Sequence, residues 1–169
     1  ALVATLVDLH AIDYNAVGTA MLQDGIFARA SWLAEAGNED VAVKFLRGAF
    51  RGWIYCRDNA QECADIVLAA GTKLGASHQL WQMNEVNKLI WPSPAGVGII
   101  DPALWEQTVN VAMNTKNLEG ATVISAVPTE DAYTNQYAEA ANAALTAQGL
   151  NTTGDAFAPI SVTLTEGGS

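Results

Sequence analysis

Positive charge is scarce in this chain. Eight Lys and Arg residues stand against eighteen Asp and Glu, for a formal charge of −10, and no two basic residues are adjacent. Phosphate backbones and anionic bilayers recruit basic clusters, so no nucleic acid is expected as a partner. No stretch reaches the roughly 18 apolar residues that a membrane-spanning helix needs, and the first residues lack the basic start of a secretory signal. The opening at Ala1 fits a processed or trimmed product better than a primary translation product. Histidine is limited to His10 and His78, and neither sits in a nucleophile or metal-ligand motif. There is no G-x-S-x-G, no H-E-x-x-H, no glycine-rich phosphate loop and no carboxylate pair marked out as acid and base. The expectation is a protein that is not an enzyme, with no cofactor and no metal site.

Cysteine is almost as rare. Cys56 and Cys63 lie seven positions apart, across a turn between two helical patterns short enough to bring their Cα atoms within the roughly 4.4–6.8 Å that a disulfide requires. In an oxidising compartment they pair; in the cytosol they would be two buried thiols.

Half of the residues are apolar, enough for a sizeable core. The strongest pattern runs from Asn38 to Cys63. Ala42, Phe45, Leu46, Ala49, Phe50, Trp53 and Ile54 recur at three- and four-residue steps, with Asp40, Lys44, Arg47 and Arg51 as the opposite stripe, which predicts an amphipathic helix. Asn38 stands at the N-cap position, Glu39 and Asp40 complement the positive end of the helix dipole, and Arg57 complements the other. Asn59 with Glu62 resembles a capping box and opens a second helix after a turn of about three residues. Gly48 and Gly52, four apart, predict close packing of another backbone on this helix.

Elsewhere the pattern predicts strands at Leu2 to Ile12, Ile26 to Ala28 and Ala121 to Ile124, and an edge strand at Ile160 to Leu164 from its two-residue alternation. Short helical signals cover Ser31 to Glu35. Ser77 is placed as the cap of a helix reaching about Ile90, with Leu80, Met83, Val86, Leu89 and Ile90 as its buried stripe and Trp81 and Asn84 at its border. Trp91-Pro92-Ser93-Pro94 stops that helix. Asp101-Pro102 pairs an N-cap with a first-turn proline, and an Ala-rich helix spans about Glu130 to Gln148.

The segment Phe45-Leu46, Ala49, Gly52-Trp53, Tyr55, followed by Asp58-Asn59 and Glu62, is similar to the substrate-binding proteins of ABC importers in the thiamine-pyrimidine, sulfonate and nitrate group. The run Asp24 to Ala34 and the spacing of Gly98, Asp101, Trp105 and Thr108 fit the same resemblance, which covers roughly residues 12 to 145. Relatives of this kind are two-lobed and about twice as long, so the chain looks like a C-terminal half. The resemblance implies a helix-rich α/β fold, part of a two-lobed type II periplasmic-binding-protein architecture. Residues 1–115 would supply most of the second lobe and the return to the first, and residues 116–169 a helix and tail packed on that first lobe.

The function implied is capture of a small ligand, with heterocycles among the candidates, in an interlobe cleft, and its presentation to the membrane permease of an importer. The partners are then the ligand, the permease and the missing N-terminal half, in a periplasmic or other extracytoplasmic setting. Tyr14, Thr19, Gln23 and Asp24 mix an aromatic face with directed hydrogen-bonding groups, and with Trp81 and Asn84 they are the ligand-binding candidates. Two other readings stand beside this one: a self-contained helical structural or interaction domain, and a thiamine-pyrimidine synthase sharing the two-lobed fold.

Overall fold

The computed structural model describes residues 12–71 and 73–166. Among them six α-helices form: α1 (Ala30–Leu33), α2 (Asn38–Asp58), α3 (Ala60–Ala70), α4 (Ala76–Ile90), α5 (Pro102–Asn114) and α6 (Gln136–Thr146), with a 3-10 turn at Glu130–Ala132. No strand forms among these residues; the one β-type pairing is an antiparallel bridge between Lys116 and Thr122. The expected strands at 26–28, 121–124 and 160–164 are irregular or extended chain, and that at 2–12 lies almost wholly outside the described residues, as does His10.

This overturns the α/β, two-lobed assignment and with it the likeness to the importer proteins. A type II lobe is built on a sheet flanked by helices, whereas these helices pack on one another. The local cues were ambiguous by nature: short apolar runs without a pairing partner satisfy strand and extended-coil patterns equally.

Helix α2 is the longest element, and α6 packs along it. Phe50 and Ile54 of α2 join Ala138, Ala141 and Leu145 of α6, together with Trp91 and Val97 of the loop between α4 and α5, in one buried cluster. Every alanine of α6 that reaches this cluster lets α2 approach closely. The loop is held by asparagines. Asn142 donates from Nδ2 to the Val97 carbonyl at 2.9 Å. Asn135 accepts from the Ile100 amide at 2.9 Å and donates to the Ile100 carbonyl at 2.8 Å. Gly98 has φ +77, and a Cβ there would stand 2.3 Å from the Phe50 ring, so a glycine is required both by the left-handed backbone and by the ring beneath it.

A second layer is the α3–α4 pair. The corner from α2 into α3 is a single residue, Asn59, shorter than expected, and Cys56 and Cys63 are disulfide-bonded across it with Cα atoms 5.4 Å apart. Asn59 and Glu62 form no capping box. Asn59 Nδ2 donates to the Tyr55 carbonyl at 3.0 Å, and Glu62 accepts from the Tyr55 hydroxyl. At the other end Gly37, with φ +88, is the N-cap, and Asn38 lies inside the helix with Nδ2 bonded to the Trp32 carbonyl at 2.8 Å. The Asp101 cap is as expected: its carboxylate accepts from the amides of Ala103 at 2.7 Å and Leu104 at 3.1 Å. Helix α5 stands apart from the two pairs. Residues 18–22 cross it, with the Leu22 amide bonded to Thr108 Oγ1 at 2.8 Å and Gln107 Nε2 to the Ala20 carbonyl at 2.7 Å.

Candidate functional site

Two sides of α2 are apolar. One is the inner face just described. On the other, Val41, Phe45, Gly48, Gly52 and Tyr55 follow one another at steps of four and three, which places them on a single stripe extending about 21 Å at 1.5 Å per residue. Phe45 is 62% exposed and Val41 49%. A Cβ built at Gly48 or Gly52 meets nothing within 4 Å. The expected close packing at these glycines is therefore not made among the described residues: they leave a shallow furrow beside the Phe45 ring.

Charge borders this stripe on one side. Helix α2 holds Lys44, Arg47, Arg51 and Arg57, half of the basic residues in the chain. Lys44 pairs with Asp40 at 2.6 Å, and Arg51 donates to Gln148 of the segment after α6. Arg57 is turned inward: its side chain is 7% exposed, bonded to Asp58 through Nε at 2.7 Å and to the Asn151 carbonyl at 2.8 Å, with the guanidinium 4.6 Å from the Trp91 ring centre. It closes the C-terminal end of α2 onto the loop at 151–158, where Arg57, Asp58, Asn151 and Phe157 line a pocket of about 260 Å³. The hydroxyl of Tyr55 is pushed above its ordinary range by its hydrogen bond to Glu62, and that of Tyr137 by its bond to Glu39. Both stay protonated donors well into alkaline solution.

The six residues expected to bind a ligand are not gathered into one site. Tyr14, Thr19, Gln23 and Asp24 all lie on the exposed chain before α1. Thr19 lines an open groove of about 530 Å³ against Gln107, Asn110 and Asn114 of α5. Asn84 is on α4, 4% exposed, and spends its carbonyl on the Ile160 amide at 2.9 Å. Trp81 is half-buried and tilts against His78 with ring centres 5.5 Å apart. Neither the groove beside α5 nor the pocket beneath Arg57 is lined by Trp81 or Asn84.

Among the described residues there is accordingly no interlobe cleft to capture a solute, and the importer role falls with it, along with the small-molecule ligand, permease and missing-half partners that depended on it. The disulfide expected from the spacing of Cys56 and Cys63, which did not depend on that reading, is present. No protein-family model, curated protein or solved structure matches the chain. Among the described residues, no helix is long and apolar enough to cross a membrane.

Proposed function

We propose that this chain is a helical interaction domain without catalytic activity, and that the outer stripe of α2 is its docking face. The observation that carries this reading is the pairing of exposed Phe45 and Val41 with the open furrow at Gly48 and Gly52, on a helix whose other face anchors the core. Large apolar side chains beside uncovered glycines favour a partner helix, because the missing side chains allow close backbone approach and the aromatic fills the partner's groove. Lys44, Arg47 and Arg51 form one rim with Asp40, which pairs with Lys44, so a complementary partner places an acidic group opposite Arg47. The disulfide supports an oxidising, extracytoplasmic setting.

Site-specific photo-crosslinking tests the reading. Benzoylphenylalanine replaces Phe45 in one version of the full chain and Asp65, on the exposed side of α3, in another. The expected result is one saturable adduct from position 45 that disappears when Gly48→Leu and Gly52→Leu fill the furrow. Equal adduct yields from both positions, or a yield indifferent to the leucines, would remove α2 as the docking face.

A further inference from the structure

The extended tail after Phe157 rests along α4 in a seat made from that helix. Asn84 Oδ1 accepts from the Ile160 amide at 2.9 Å, and Ser77 Oγ accepts from the Thr165 amide at 2.9 Å. The Glu166 carboxylate accepts from the Ser77 amide at 2.6 Å and the His78 amide at 3.4 Å. It takes the place expected for Ser77 as the cap of α4, whose own N-cap residue, Gly75, makes no side-chain cap bond. The tail thus runs antiparallel to the helix. Val162, Leu164 and Glu166 are half-buried while Ser161, Thr163 and Thr165 are exposed. The two-residue alternation holds from Ser161 to Glu166, although Ile160 is itself exposed, and the tail lies on a helix rather than beside a neighbouring strand.

Three features mark this seat as a peptide site. It reads main-chain amides at two points and one carboxylate at a third, which is what recognition of an extended acidic segment requires. Asn84, itself buried, is aimed at the incoming backbone. Among the described residues, 158–166 make no backbone-to-backbone hydrogen bond, and their hydrogen bonds to the rest of the described chain are those of this seat. The chain before them is secured separately: Arg57 binds the Asn151 carbonyl, Thr152 is buried, and Phe157 packs against the core cluster. The tail can therefore leave from Ala158-Pro159 onward with the core intact.

We propose that the α4 seat is a binding site for extended segments that carry an acidic residue, and that it exchanges its own tail for that of a second copy, giving a reciprocally swapped dimer. The second copy is the fitting occupant because its Ile160, Thr165 and Glu166 restore each hydrogen bond of the seat unchanged, which makes exchange a low-cost route to association.

Engineered cysteines in the full chain test this. Ser77 Oγ and Thr165 Oγ1 are 3.3 Å apart, so a chain with both S77C and T165C forms an internal disulfide when its tail is seated. A mixture of chains carrying S77C alone and T165C alone forms a disulfide between copies only when tails are exchanged. After incubation at high concentration in a thiol buffer, the expected heterodimer exceeds that of an S77C and T163C mixture by at least about fivefold, because only a seated tail brings the two sulfurs together. Heterodimer no greater than that control, with the double variant still closing internally, overturns exchange. Failure of the double variant to close overturns the seat itself.

Discussion

Two leucines in two helices separate the core from the surface of this fold. Leu145 of α6 is fully buried in the cluster with Phe50 and Ile54, whereas Leu89 of α4 is 87% exposed. Truncating Leu145 to Ala removes three carbons, about 2.4 kcal/mol at ~0.8 kcal/mol per buried CH₂. A residual cavity raises this further, so the expected loss is about 3–4 kcal/mol, inside the span of measured Leu→Ala substitutions. Leu89→Ala leaves an already hydrated site and favours the helix slightly, so the expected change is within about 0.5 kcal/mol. Urea unfolding followed by far-ultraviolet circular dichroism, without reductant so that the disulfide persists, reads both as shifts in midpoint at constant slope. In thermal unfolding Leu145→Ala lowers Tm by roughly 6–16 °C for a domain of this size. A Leu89→Ala cost above about 1.5 kcal/mol, or a Leu145→Ala cost below it, would refute the placement of α6 against α2 and the outward phase of α4.

Two further outcomes follow from local geometry. Replacing Cys56 and Cys63 together by Ser removes a bridge with a sequence separation of 7, and loop entropy sets the expected loss near 2.4 kcal/mol in the same urea assay; no loss would mean that the one-residue corner alone fixes the α2–α3 angle. Glu166 is depressed from 4.5 to about 2, first by the Thr165 hydroxyl and then by Ser77. A carboxyl lowered on folding holds the tail fully above its ordinary value and lets go as pH falls from about 4.5 to about 2. The Ser77 amide resonance should move through that window in the native chain and stay still in Glu166→Gln; movement persisting in the variant would assign the transition to another carboxylate.

The parts of the fold legible in the sequence are those governed by contacts a few residues apart. The helical span at Asn38–Asp58, the Asp101-Pro102 start and the pairing of Cys56 with Cys63 all follow from near neighbours. What could not be read is phase and pairing. On α4 the apolar stripe pointed to Leu89 as buried, yet the inward residues are Asn84 and Asn87. Asn87 donates to the Cys56 carbonyl at 3.3 Å and Asn84 receives the tail, so backbone groups distant in sequence set the rotation of the helix. Phe45 and Trp53 entered the same apolar pattern as Phe50, but one helix has one core side, and the pattern was wide enough to cover two. For the candidate site, the stripe was visible as residues and invisible as surface. The Gly48 and Gly52 spacing suggested close packing, yet among the described residues nothing comes within 4 Å of a Cβ at either position.

The partnership of α2 with α6 has a consequence for synthesis. Arg51 and Gln148, which meet where these helices pack, are 97 positions apart. At roughly 5–20 residues per second, α2 leaves the ribosome about 5–20 seconds before the residues that cover its inner face. Until then its inner face has only Trp91 and Val97 of the buried cluster to meet, and its C-terminal end is held by the Cys63 bridge and Asn87. A nascent chain in that condition is a natural client for a chaperone, and haste in closing the bridge would shorten the wait only for α3, not for α6.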